Sequence, residues 1–302
     1  IQCDSIDVYK PVLCALPTQR STMPAAPSCG CRNECNRTYS LDEVNVSAMA
    51  RGPVLSEDAQ RAAAIAAMYR CQQHDHRGDA TGGWCLGYRR LHTVNMTNGQ
   101  SYNLPTGHYA AEDTLVQAID RLLRPRAFGR PYLTLLDLGA GVGQNGHTLL
   151  ALDPKHRYSA YDGAGDVENI TEGFVKYLDL TSPITLPRAD WVLSTEVGEH
   201  VPPEDEQLFI RNLHAHACRG IILSWAQPGS RVTGQGHVNC HRPDYVQQLM
   251  SDLGYRLHER LSADLRGTGP RGRAPPVVHP LMYMPGHDVL RNVYAYERIT
   301  PL

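Results

Sequence analysis

LLDLGAGVGQNG, residues 135–146, runs from apolar residues and one acid into glycines at 139, 141, 143 and 146. A strand that enters a glycine-rich turn and opens a helix lets backbone N–H groups approach a ligand closely, with the helix N-terminus aimed at it. Gly141, Gly143 and Gly146 also fit the spacing GxGxxG, so a nicotinamide or flavin enzyme is one reading. Asp137 separates the alternatives. An acid at the strand end, two residues before the first glycine, repels a pyrophosphate and suits a cationic ligand.

Working outward, apolar strands alternate with amphipathic helices, the pattern of a parallel sheet covered on both faces. Strands are expected at 133–138, 158–161, 191–194 and 221–225. Pro203 starts a helix with Glu204, Asp205 and Glu206 in its first turn, and Gly220 is expected just past its end. Another helix follows Pro243, with Val246, Leu249, Met250 and Leu253 at helical spacing and Gly254 as its stop. Residues 255–261 and 292–298 read as closing strands. Upstream, Ser56 caps an alanine-rich helix reaching about Tyr69, and a second helix spans about 110–123. Residues 1–54 and 78–107 are polar and turn-rich. The expected division is a cysteine-rich region over 1–105, with one helix, and an α/β domain over 106–302.

The 302 residues are 42% apolar with a formal charge of −2, ample for a buried core and without the electrostatic footprint of a nucleic-acid partner. No run of 18 apolar residues occurs, so no membrane span is expected. Of nine cysteines, Cys3, Cys14, Cys29, Cys31, Cys35, Cys71 and Cys85 precede the glycine loop, while Cys218 and Cys240 follow it. His74 and His76 make zinc a competing reading, but no paired CxxC knuckle appears, and disulfides are the preferred one. The odd count leaves at least one thiol free or paired between chains, and Cys218, at an expected helix end, is read as a buried thiol. Sequons begin at Asn36, Asn45, Asn95 and Asn169, expected glycan acceptors. Together these features point to a secretory lumen, Golgi or ER, or the cell exterior. That the chain opens on Ile1 points to a signal or anchor segment removed by processing or lying outside this stretch.

LLDLGAGVG resembles the first motif of the class I S-adenosylmethionine-dependent methyltransferases, and the likeness continues in order. YSAYDGA is similar to the second strand, whose terminal acid, Asp162, would take ribose hydroxyls. In YLDLTSP, Asp179 matches the acid or amide near the adenine amino group. ADWVLSTEVGEHVPPE resembles the fourth motif, with Glu199 and His200 at a Glu-His pair and Glu196 beside the cofactor. The resemblance covers about residues 106–302. It implies a doubly wound, Rossmann-like, seven-stranded, mostly parallel sheet, with S-adenosylmethionine held by Asp137, Gly139, Gly141, Gly143, Asp162, Asp179 and Glu196.

SWAQPGSRVTGQGHVNCHRPDY follows the expected fifth strand, where the carboxyl ends of parallel strands line a ligand crevice. Trp225, Asn239 and His241 are the expected acceptor-binding residues. A hydroxyl acceptor must lose its proton, and a histidine suits that near neutral pH. His237 is the preferred base, with His200 orienting cofactor or substrate, although the order can reverse. No HExxH or GxSxG motif occurs, and no metal site is expected. The leading reading is a lumenal O-methyltransferase acting on a glycan or glycoprotein. A small-metabolite methyltransferase and a non-catalytic module of an extracellular assembly are the alternatives.

Overall fold

The computed structural model describes residues 56–73, 83–87, 90–96, 98–106, 111–125, 130–228, 236–272 and 289–299. The expected disulfide cysteines Cys3, Cys14, Cys29, Cys31 and Cys35, the competing zinc ligands His74 and His76, and the sequons at Asn36 and Asn45 lie outside them. The chain opens with α1 (Glu57–Gln73), whose first turn is capped as expected: the Ala59 N–H donates to Ser56 Oγ at 3.2 Å. An antiparallel hairpin follows, β1 (Leu91–Asn95) and β2 (Ser101–Pro105), where the polar composition of 78–107 predicts turns. Its alternation is legible afterwards: Tyr102 and Leu104 point inward from β2 while Ser101 and Asn103 face out.

The main body runs α2 (Asp113–Leu123), β3 (Thr134–Leu138), α3 (Gln144–Leu152), β4 (Arg157–Asp162), α4 (Val167–Ile170), β5 (Lys176–Tyr177) and β6 (Ala189–Ser194), then α5 (Glu206–His216), β7 (Ala217–Leu223), α6 (Pro243–Asp252), β8 (Tyr255–Leu257), α7 (Glu259–Leu265) and β9 (Tyr294–Arg298). Seven strands form one sheet in the order β5-β4-β3-β6-β7-β9-β8, parallel except for β9, which is antiparallel to both neighbours. This is the doubly wound, mostly parallel sheet implied by the resemblance. From β3 the chain winds outward through β4 and β5, then returns to β6 on the other side, so the strand order reverses between β3 and β6. Ligand crevices form at such a switch point, outside the carboxyl ends of the strands.

Side chains alternate across the sheet as the two-residue period requires. Leu135, Trp191, Leu193 and Ile222 pack with Leu115, Ile119 and Leu265 on one face. Leu136, Val192, Ile221 and Tyr296 pack with Phe209, Leu213 and Met250 on the other. A third cluster joins Val94, Tyr102 and Leu104 of the hairpin to Ala140, Val142 and Ala160, so the hairpin packs directly on the α/β domain.

Three sequence expectations need correction. Gly220 does not end a helix: β7 begins at Ala217, and Gly220 lies inside it because a Cβ there would sit 2.3 Å from the Trp191 ring. The strand expected over 255–261 stops at Leu257, since His258 caps α7, its Nδ1 accepting from the Leu261 N–H at 3.2 Å. Cys218 is disulfide-bonded rather than a buried thiol, and Cys240 is the free cysteine among the described residues. Cys71 and Cys85 pair as expected, closing a separation of 14 residues. Among the described residues no helix is long and apolar enough to cross a membrane.

Candidate functional site: one crevice with two ends

The first end is built on β3 and β4. Gly139 (φ 84°), Gly141 (φ 58°) and Gly143 (φ 76°) all occupy the left-handed region, and Gly143 caps α3. Gly139 is doubly constrained, because a Cβ there would lie 2.2 Å from Val197 in the loop after β6. The two loops that flank the switch point therefore touch. Asp162, at the end of β4, holds the glycine loop: its carboxylate accepts from the Gly141 N–H at 2.7 Å and the Ala164 N–H at 2.8 Å. Burial pushes Asp162 up to about 6 even so. Beneath it Asp137 is closed off from solvent and accepts from the Tyr158 hydroxyl at 2.8 Å. Burial raises Asp137 to about 7, opposed by that hydroxyl and reinforced by the Asp162 charge. Two acids on adjacent strands, Asp137 buried and Asp162 half-buried, both held towards protonation, fit a cationic ligand, which would restore their charge. Asp179 follows β5 and accepts from Thr181 N–H, Thr181 Oγ1 and Ser182 Oγ at 2.7 to 2.9 Å, a local turn.

The second end is built on the loop after β6. Glu196 takes φ 57°, uncommon for a residue with a side chain, and is fixed by Ser224 at the end of β7. Its N–H donates to Ser224 Oγ at 2.8 Å while the same hydroxyl donates to Glu196 Oε1 at 2.7 Å. Glu199 and His200 follow on a short 3₁₀ turn, Gly198–His200. The Glu199 carbonyl accepts from the Val238 and Asn239 N–H groups at 2.8 and 3.0 Å, and this pairing brings His237 to the site. The His200 and His237 rings meet edge to face at 4.9 Å, and the Trp84 ring stands 5.7 Å from His200. Burial lowers the pKa of His237, favouring the neutral imidazole.

Trp84 belongs to residues 83–87, tied to α1 by the Cys71–Cys85 disulfide and to the β4 loop by Asp166, whose carboxylate accepts from the Leu86 and Gly87 N–H groups at 2.7 and 2.6 Å. The cysteine-rich region thus supplies a wall of the crevice, a role that nothing in its composition indicated.

Glu199 is the most unusual group here. Its side chain is fully buried, neither carboxylate oxygen has a donor in good hydrogen-bond geometry, and the polar groups that face it are the Ala226 backbone N–H and the Glu196 carboxyl. Burial, reinforced by the Glu196 charge, raises it to about 8.

The expected site residues divide. His200 and His237 come together with Glu199 and Glu196. Trp225 is instead buried, donating from Nε1 to the Asn239 carbonyl at 2.6 Å. Asn239 Nδ2 donates to Glu206 Oε2 at 2.8 Å, and His241 Nε2 lies 2.6 Å from the same oxygen, with Tyr245 on the other oxygen of Glu206. These three residues support the loop that carries His237 rather than line an open surface. Of the described sequons, Asn95 and Asn169 are exposed.

No protein-family model matches the chain, and no curated protein does. Among solved structures it is similar to magnesium protoporphyrin IX methyltransferase of Synechocystis PCC 6803 with bound SAM, at 18% identity over 61% of this chain and 77% of that one, TM-score 0.39. It is similar also to human N-acetylserotonin methyltransferase in complex with SAM, at 15% identity over 62% and 51%, TM-score 0.40. A third is the 1,6-didemethyltoxoflavin-N1-methyltransferase of Burkholderia thailandensis, at 17% over 63% and 80%, TM-score 0.37. Likenesses this remote assign the chain neither an activity nor an acceptor.

Proposed function

We propose that the chain is an S-adenosylmethionine-dependent methyltransferase of the class I type. The observation that carries this reading is the pair of acids, buried Asp137 and half-buried Asp162, set around a left-handed glycine loop at the switch point of the sheet. Asp162, Gly139, Gly141 and Gly143 would hold the cofactor, with Asp137 acting from beneath the loop as a source of negative charge and Asp179 and Glu196 at its flanks. S-adenosylmethionine supplies, when bound, an electrophilic methyl group on a sulfonium.

The acceptor belongs at the second end, between Trp84, His200 and His237. Methyl transfer is an in-line displacement, so much of the acceleration comes from alignment. A hydroxyl acceptor must also lose its proton, and an imidazole held neutral, as burial holds His237, is able to take it. A glycan or glycoprotein hydroxyl in the secretory pathway is the proposed acceptor, supported by the Cys71–Cys85 disulfide and by the exposed sequons at Asn95 and Asn169. A small-molecule acceptor is the second reading, favoured by the way residues 83–87 wall the crevice.

Isothermal titration of the folded chain tests the core of the proposal. Micromolar binding of S-adenosylmethionine and S-adenosylhomocysteine is expected, and none of NAD(P). A folded sample that binds neither sulfur compound would leave the fold without this activity, as in a non-catalytic module. Tritium transfer from the labelled cofactor to deglycosylated proteins, free glycans or small hydroxylated compounds then separates the acceptors.

A further inference from the structure

We propose that Glu199, His200 and His237 form a binding site for a divalent transition-metal ion at the acceptor end of the crevice. Each offers one ligand atom, and these atoms all lie within 4.8 Å of one another. Donors about 2.1 Å from a tetrahedral ion stand about 3.4 Å apart, so side-chain shifts of about an ångström complete the site.

A carboxylate with no well-placed donor on either oxygen is rare in a protein interior, because burying its charge without partners is costly. Glu199 is in that position among the described residues, and it faces two imidazoles rather than an arginine or lysine. Its neighbour Glu196 has Ser224 as a partner and adds a second negative charge. A cation bound by the Glu199 carboxylate removes both deficits together. Among the described residues the competing arrangement is a proton shared between the Glu199 and Glu196 carboxyls, with the Ala226 N–H beside them.

His200 is also prepared as a ligand. Its Nδ1 lies 3.1 Å from the Gly236 carbonyl, so Nδ1 carries the hydrogen and Nε2 the lone pair. Metal-bound histidines are usually oriented this way, by a backbone carbonyl on the other ring nitrogen. Two imidazoles with a carboxylate favour zinc, manganese or iron over magnesium or calcium, which prefer all-oxygen sets. The proposal rests on the methyltransferase reading only for its consequence. There His237, as a neutral ligand, would no longer serve as the base proposed above: an acceptor hydroxyl on the ion would release its proton to solvent far more readily than a free one.

The test uses the full chain, stripped with EDTA and desalted, titrated calorimetrically with Zn²⁺ and Mn²⁺ and, as controls, Mg²⁺ and Ca²⁺. One Zn²⁺ or Mn²⁺ per chain is expected at micromolar affinity, weakened at least tenfold by Glu199→Gln and by His237→Ala. Circular dichroism checks folding. Should Glu199→Gln not fold, His200→Ala replaces it. Absence of binding, preference for Mg²⁺ or Ca²⁺, or unchanged affinity in either folded variant overturns the site. S-adenosylmethionine is titrated into the same samples: metal binding without cofactor binding counts against the methyltransferase reading alone, and the reverse counts against the metal alone.

Discussion

The two ends of the crevice treat buried carboxylates in opposite ways. At the glycine-loop end, Asp162 receives two backbone N–H donors and Asp137 a tyrosine hydroxyl, so the chain completes most of its own hydrogen bonding. At the β6 end, Glu199 has no donor in good geometry and shares its pocket with a second carboxyl, Glu196. The first end is a prefolded cradle whose acids also hold the loop in shape. The second is left unsatisfied at the place where chemistry would occur, and buried polar groups without partners are costly enough that they mark function more often than packing.

Breaking the second end should have the largest effect. His237→Ala should lower turnover on the identified acceptor by on the order of 10² to 10⁴, while S-adenosylmethionine affinity stays within about twofold, since the cofactor acids lie on β3 and β4. Full turnover in both His237→Ala and His200→Ala would leave catalysis to alignment alone. Next comes the wall that spans both ends. Replacing Cys71 and Cys85 together by serine removes a cross-link over 14 residues. It should lower stability by about 3 kcal/mol, read from urea denaturation, and an unchanged midpoint would detach residues 83–87 from the cooperative fold.

At the first end, Asp162→Ala should weaken cofactor binding by about 1.5 to 3 kcal/mol, the usual range for a charged hydrogen-bonding group. Its bonds to Gly141 and Ala164 predict a measurable loss of stability as well. Equal affinity in wild type and variant would remove Asp162 from the cofactor site.

The smallest effect is pH-dependent and sharpens the contrast. Asp137 and Asp162 stand at about 7 and about 6, above the ordinary 3.8, so the folded chain holds protons that the unfolded chain has lost. Their contribution to stability therefore falls as pH rises from about 4 to 7. A cationic ligand works the other way, favouring the ionised acids, and its affinity should rise several-fold over the same window with proton release on binding. Calorimetry in buffers of different ionisation enthalpy measures that release. A flat profile would mean that the acids do not sense the ligand's charge.

Much of the first end was legible in the sequence because its geometry is local: strand, glycines and helix are consecutive, and the acids stand at strand ends in order. The sheet followed from that pattern. The hairpin of β1 and β2 was missed because its five-residue strands expose most of one face and offer little apolar signal. At the second end, Glu199 and His200 were visible as neighbours and His237 as a polar residue in the next crossover. Their convergence was not, because it depends on backbone hydrogen bonds from 238 and 239 to 199. Asn239 and His241 were misplaced for the same reason: three side chains gather on Glu206, which in the sequence looks like an ordinary first-turn acid.

That gathering on Glu206 has a consequence for how the molecule is made. The bonds from Asn239, His241 and Tyr245 to Glu206 join residues 33, 35 and 39 positions apart, across the whole of α5 and β7. Contacts of this range cannot reward the chain until α5 and β7 are in place, so the seating of His237 depends on them. The glycine loop and its two acids lie wholly before α5, whereas the imidazole is positioned through Glu206 by residues after β7, so a change at Glu206 should loosen the second end and leave the first in place.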